Sequence, residues 1–171
     1  ITSIILTVIA FFTLQKSSHN LDRVDVNFSL ETVNGDQFNQ DKCLKKPSII
    51  FFGFTHCPDV CPSSLQLLSN LIQDLGDDAS KINFYFVTAD PDRDTKKILK
   101  EYLGYFDKKI IGITGDKAEL NKLYAALNIY IKRIDLNNNN YTIDHTASFI
   151  VLNSNAEIIG TMIHEGFSKL L

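Results

Sequence analysis

Cys57 and Cys61 stand four positions apart in Gly53-Phe54-Thr55-His56-Cys57-Pro58-Asp59-Val60-Cys61-Pro62. Two thiols at that spacing, carried into the start of a helix, fall on one face and can converge. A helix N-terminus favours thiolate, the form that binds soft metals and attacks disulfides. Pro58 and Pro62 stiffen the segment, which suits a functional turn better than core packing. A pair of buried, inert cysteines is the bland alternative, and it accounts for less of this pattern.

Thioredoxin-type enzymes separate their cysteines by two residues; here three intervene. That spacing permits a Cys57–Cys61 redox disulfide and leaves room for a metal between the sulfurs. Thioredoxin-like folds also place a cis-proline before a late strand, opposite the dithiol. The four prolines of this chain are Pro47, Pro58, Pro62 and Pro91, so none is available there. The corresponding place, ahead of Ser148-Phe149-Ile150, reads Asp144-His145-Thr146. His145 would complete a set of two sulfurs and one nitrogen, which suits copper. A lone histidine at a strand start is more often structural, so spacing alone leaves both readings open. Asp144 would orient His145 or simply be solvated. Asp90, Asp92, Arg93 and Asp94 imitate a hard-cation site, but Asp-Pro before a helix reads first as turn and capping chemistry. His56 is expected to point away from the pair, and Cys43 to be a partly buried lone thiol. His19 and His164 have no partner motif.

Elements must position these residues. The chain has 171 residues, 44% hydrophobic and 22% charged, which suits one folded domain plus a short extra segment. A net charge of −3, with lysine clusters no longer than pairs, excludes a nucleic-acid partner. Ile1–Leu14 carries no charge, and fourteen helical residues rise about 21 Å. We read residues 1–16 as one transmembrane anchor, short of a full span unless the apolar run extends upstream, 17–25 as a linker and 26–171 as the domain. A cleaved signal peptide and a buried helix are the alternatives. Alternation at Val26–Leu30, then Asn34-Gly35 and Phe38, predicts a β-hairpin over roughly 26–40. Ser48–Phe54 and Ile82–Thr88 are continuous apolar runs, as in parallel strands buried on both faces. Helical apolar faces follow Pro62, Asp94 or Thr95, and Asp116. Ile110–Thr114 reads as a short strand. Ile129–Leu136 and Tyr141–Ile143 read as strands flanking an exposed asparagine turn, and Ala147–Leu152 with Ile158–Ile163 as a closing pair. The order is that of an α/β, thioredoxin-like fold with an N-terminal hairpin and an inserted late hairpin.

The blocks GFTHCPDVCP at 53–62, VTADPDRDT at 87–95, GITGD at 112–116 and DHTASF at 144–149 resemble the Sco/SenC family of copper chaperones. The resemblance covers most of the chain after residue 26. It implies that Cys57, Cys61 and His145 bind copper, as Cu(I) and also as Cu(II). It implies a role in cytochrome c oxidase assembly, with the oxidase's copper-bearing subunit and other copper chaperones as partners. It also implies a membrane anchor with the domain on the non-cytoplasmic side, in a periplasm or in a mitochondrial intermembrane space. Phe149-Ile150 and Asn153-Ser154-Asn155 depart from the family's usual Tyr-Leu pair and turn, without touching the ligands. The runner-up function is a thiol-disulfide reductase acting through Cys57 and Cys61 on the oxidase's copper-binding cysteines. A thioredoxin-type peroxidase fits less well, because no arginine lies close in sequence to the cysteines.

Overall fold

Strand β3 (Ser48–Gly53) is buried along its whole length, and its side chains alternate between two cores. Ile50 and Phe52 enter one; Ile49 and Phe51 enter the other. Strand β4 (Asn83–Thr88) repeats the pattern, with Tyr85 and Val87 on the first side and Phe84 and Phe86 on the second. Period-two alternation with both faces apolar forces a sheet covered by helices on each side. Phe51, Phe52, Phe86 and Phe149 are fully buried, each contributing roughly 1.5–3 kcal/mol.

A computed structural model describes residues 23–43, 46–137 and 140–163. Its elements, in order, begin with β1 (Leu30–Thr32), β2 (Gln37–Phe38) and a single helical turn α1 (Gln40–Cys43). Then come β3, α2 (Val60–Leu75), a 3-10 stretch (Gly76–Lys81), β4, α3 (Lys96–Leu103), β5 (Ile110–Thr114) and α4 (Lys117–Ala126). The chain closes with β6 (Ile131–Asp135), β7 (Tyr141–His145), β8 (Ser148–Leu152) and β9 (Ile158–Ile163). Seven strands form one sheet in the order β2-β1-β5-β4-β3-β8-β9, while β6 and β7 pair as a separate hairpin. Strands β3, β4 and β5 are mutually parallel; β8 runs antiparallel to β3, with Phe51 opposite Phe149.

The predicted N-terminal hairpin forms around Asn34-Gly35, where Gly35 takes a φ of +90°. Its ladder is shorter than alternation implied, because regular pairing starts only at Leu30. Phe28 is nevertheless buried, and Val24, in the stretch read as linker, is buried and donates its N–H to the Ala156 carbonyl. Thr95, not Asp94, caps α3, and Leu99 and Leu103 are buried while Ile98 is exposed. Asp116 caps α4 as expected. Among the described residues no helix is long and apolar enough to cross a membrane. The proposed anchor at 1–16 lies outside them.

Gly112 interrupts β5 for lack of space. A Cβ there would stand 2.6 Å from Val33 Cγ1 and 2.7 Å from Leu103 Cδ1. Gly112→Ala is therefore expected to destabilise the domain by about 1–3 kcal/mol. Urea unfolding measures it, and an unchanged midpoint would mean that Val33 and Leu103 yield freely.

Candidate metal centre

The parallel pair β3–β4 ends at Gly53 and Thr88, and the chain turns off the sheet there into the cysteine loop. The Cys57 N–H closes a turn on the Phe54 carbonyl at 3.2 Å. Helix α2 begins at Val60, so Cys61 lies in its first turn while Cys57 precedes it. The expectation that both thiols share a helical face is thus corrected: they converge because the turn folds Cys57 back over the helix start. Pro62 also sits in that first turn, where a missing N–H leaves no helical bond unmade. Cys61 is fully buried and Cys57 half-buried; neither is in a disulfide.

Gly53 sets how closely the sheet approaches Cys61. A Cβ at this position would lie 2.9 Å from Cys61 Sγ and 2.9 Å from Phe86 Cε2. Asp94 fixes the other side of the loop. Fully buried, it accepts from Thr55 Oγ1 at 2.6 Å, Thr88 Oγ1 at 2.7 Å and the Thr55 N–H at 3.2 Å. Burial raises its pKa, and the Thr55 and Thr88 bonds oppose that shift.

His145 ends β7 and reaches the same place from the opposite side. Its Nε2 lies 3.6 Å from Cys61 Sγ. Its Nδ1–H donates to the Thr146 carbonyl at 2.9 Å, which fixes that proton on Nδ1 and turns Nε2 toward the sulfurs. Phe51 and Phe54 present edge-to-face contacts to the ring at 6.4 and 5.8 Å. Thr146 is itself pinned to Tyr130 by a reciprocal pair: its N–H donates to the Tyr130 carbonyl at 3.0 Å, and its hydroxyl oxygen accepts from the Tyr130 N–H at 3.0 Å.

The two sulfurs share their charge unequally. The Cys61 thiol donates to Cys57, which draws the Cys57 pKa down to about 3 against the opposing effect of burial. His145 and the backbone N–H groups of Asp59 and Cys61 pull the same way. The Cys57 hydrogen bond and burial push Cys61 far up. The metal-free pair is one thiolate, on the more exposed sulfur, and one thiol beneath it. No group of three or more His, Cys, Asp or Glu side chains among the described residues is already drawn into a ready-made metal cluster. The three side chains are neighbours joined by hydrogen bonds, His145 to Cys61 and Cys57 to both.

The family model described as SCO1/SenC matches residues 16–169. The chain belongs to that family. A SCO2-like protein of Rickettsia prowazekii is 37% identical over 130 residues, covering 75% of this chain and 63% of that protein. This chain therefore spans less than two thirds of that curated relative. The structure of Bradyrhizobium japonicum ScoI with copper bound superposes with a TM-score of 0.76 at 38% identity, covering 85% of this chain and 96% of that one. Yeast Sco1 with copper bound gives 0.75 at 29% identity, covering 85% and 84%. The mixed α/β, thioredoxin-like architecture is thus the Sco fold.

Within this Sco domain His145 reaches Cys61, and Cys57 is hydrogen-bonded to both. Asp144 does not join them: it is exposed and sits opposite Lys132, and the Thr146 carbonyl orients the imidazole instead. His56 is exposed, with Nδ1 3.1 Å from Thr55 Oγ1. The acidic segment 90–94 is engaged otherwise: Asp90 pairs with Arg93, Asp92 with Lys117, and Asp94 with the two threonines. The Cys43 side chain, His19 and His164 lie outside the described residues. Sequence reasoning missed the roles of Gly53, Asp94 and Thr146 at this site. A glycine closing an apolar strand beside two cysteines was the one available signal.

A Cys57 thiolate already formed at low pH has a kinetic signature. In the reduced, metal-free Cys43→Ser protein, iodoacetamide should modify Cys57 at a rate that changes little between about pH 5 and 8. An ordinary thiol of pKa about 8.5 gains roughly tenfold per pH unit there. Cys61→Ala removes the principal donor and should restore much of that slope. A steep profile in the parent protein would refute the thiolate assignment.

Proposed function

We propose that this chain is a copper carrier that holds copper through Cys57, Cys61 and His145 and delivers it to the binuclear copper centre of cytochrome c oxidase. The observation that carries the reading is the approach of His145 Nε2 to Cys61 Sγ at 3.6 Å, beside the Cys57 sulfur. Two sulfurs and one imidazole nitrogen form a soft set that selects copper over hard cations. The copper-bound Sco relatives support the same cargo. An incoming Cu(I) would meet one ready thiolate and displace the single proton held on Cys61. The apolar walls formed by Phe51, Phe54 and Phe86 would keep water from the bound ion. Handover would proceed by exchange, with thiolates of the receiving subunit replacing the three ligands in turn. By this reading the domain works on the non-cytoplasmic side of an energy-transducing membrane.

The second reading is a thiol-disulfide reductase, favoured by the exposed thiolate above a buried thiol. The same charge distribution weighs against it. A stabilised thiolate stabilises the reduced pair, which makes it a poor donor of electrons to another disulfide. A pair held reduced is what Cu(I) binding requires.

The reduced protein should take up one copper per chain, with sulfur and nitrogen neighbours in X-ray absorption. Neighbours of oxygen or nitrogen alone would sink the carrier reading. Cys57→Ser and Cys61→Ser should each abolish tight binding, and Cys43→Ser should spare it. His145→Ala should remove the thiolate-to-Cu(II) charge-transfer band and stop oxidase maturation, while leaving the cysteine pair able to form and break its disulfide. Normal maturation by His145→Ala, with failure by Cys57→Ser, would hand the function to the reductase.

A further inference from the structure

His145 rides on a hairpin that belongs to neither edge of the main sheet, so something other than a strand ladder must hold it in reach of the sulfurs. Packing alone is a poor candidate. Between the hairpin and α4 lies a cavity of about 430 Å³, lined by Ala125, Ile129, Ile131, Tyr141 and Ile143 among others. On the side of the β4–α3 loop, by contrast, one residue of the hairpin is gripped from three directions. Tyr141 donates its hydroxyl to Asp90 Oδ1 at 2.9 Å. Its carbonyl accepts from Arg93 Nη1 at 3.0 Å. Its ring lies 3.7 Å beneath the Arg93 guanidinium, close enough for a cation–π contact, and Arg133 of the hairpin covers it at the same distance. Asp90, 2% exposed, also takes the Nε–H of Arg93, so both arms of the grip end on one carboxylate. The Arg93 guanidinium is 5.9 Å from the Phe54 ring, and Phe54 in turn packs edge-on against His145. A continuous set of contacts thus runs from Asp90 through Arg93 to Tyr141 at one end of β7 and, through Phe54, to His145 at the other.

We propose that Arg93, acting with Asp90 and Tyr141, is a positioning residue for His145. The clamp holds the hairpin where Nε2 faces Cys57 and Cys61, and it touches no ligand itself. This rests on the reading of the three residues as a copper site. The clamp is partly solvent-facing and built from polar and cation–π contacts, so it sets the imidazole's position without freezing it into a core.

The experiment pairs a metal-free readout with a copper readout. In the reduced, metal-free protein, ¹⁵N NMR of the His145 ring reports the Nδ1–H tautomer that the Thr146 bond imposes. Arg93→Gln should lose that single tautomer, and Tyr141→Phe, which deletes one hydroxyl, should lose it in part. Arg93→Lys, which keeps charge without the forked reach, should recover less than half of the signal. Supporting partners of metal ligands are commonly worth about tenfold to a hundredfold in affinity, and Arg93→Gln should weaken Cu(II) by that amount. In a His145→Ala background the same substitution should change Cu(II) affinity less than about twofold, because its effect passes through the imidazole. Leu120→Ala, a core change remote from the clamp, should lower stability without altering tautomer or spectrum. An unaltered His145 ring in Arg93→Gln, or an equal loss of affinity with and without His145, overturns the proposal. Failure of the parent protein to bind copper, with the tautomer still dependent on Arg93, would overturn the carrier reading and leave the clamp standing.

Discussion

The candidate centre depends on one constraint, that β3 is paired parallel on one side and antiparallel on the other. A parallel neighbour sends the chain off the sheet at the carboxyl ends of β3 and β4, and the cysteine loop starts there. An antiparallel neighbour begins where its partner ends. With Phe51 opposite Phe149, the residues just before β8 are brought level with those just after Gly53. His145 and Cys61, 84 positions apart in the chain, meet for that reason. A shift of one residue in that register would turn Phe149 out of its core and carry His145 off the sulfurs together, so apolar burial guards the site's geometry. Gly53 completes the arrangement by leaving room for Cys61 Sγ at the strand end.

Around this meeting point the structure gathers negative charge in apolar surroundings. The Cys57 thiolate and the buried Asp94 carboxyl both act on Cys61 and contribute to its raised pKa. Tyr102, whose hydroxyl is buried without a hydrogen-bond partner among the described residues, is raised first by burial and then by its electrostatic interaction with the cysteine pair and Asp94. In a medium of low effective dielectric such charges act over longer distances than in water. The unfavourable part of that field is offset by directed hydrogen bonds: N–H groups of Asp59 and Cys61 on Cys57, and Thr55 and Thr88 on Asp94. A soft cation entering here would be attracted by the same charges that raise Cys61 in its absence.

Much of this was legible in the sequence because the decisive signals are local. Continuous apolar runs identified β3 and β4, Asn34-Gly35 the first turn, Asp116 the cap of α4, and the C-x-x-x-C loop its place at a strand end. Absence of a late proline directed attention to His145. Relations between distant residues were not legible. Nothing local says that Asp94 will bond Thr55, or that Arg93 will sit on Tyr141. Adjacency alone leaves open whether Asp144 orients His145 or is solvated. Along a strand adjacent side chains point to opposite faces, so Asp144 meets solvent where His145 meets the sulfurs. Alternation at 26–29 suggested a longer first strand. Burial of Phe28 accounts for the pattern without a ladder, since an extended segment can bury alternate residues while its backbone bonds elsewhere.

If the chain is a copper carrier, the division of the three candidate ligands between the cysteine loop with its helix and the hairpin bears on how cargo would be released. Cys61 is fixed in the first turn of a sixteen-residue helix and has no exposed surface. Cys57 lies in the preceding turn and is half-exposed, and His145 sits at the end of a hairpin held by polar contacts. An incoming thiolate approaching from solvent can therefore reach the side shared by Cys57 and His145, and cannot reach Cys61 first. Under the carrier reading, exchange begins on the exposed ligands and ends on the buried sulfur. As copper leaves, Cys61 must recover a proton, which its raised pKa favours, while Cys57 remains a thiolate. The emptied site returns to its starting charge with one proton taken up. A symmetric pair of exposed thiolates would offer neither that order of release nor that resetting step.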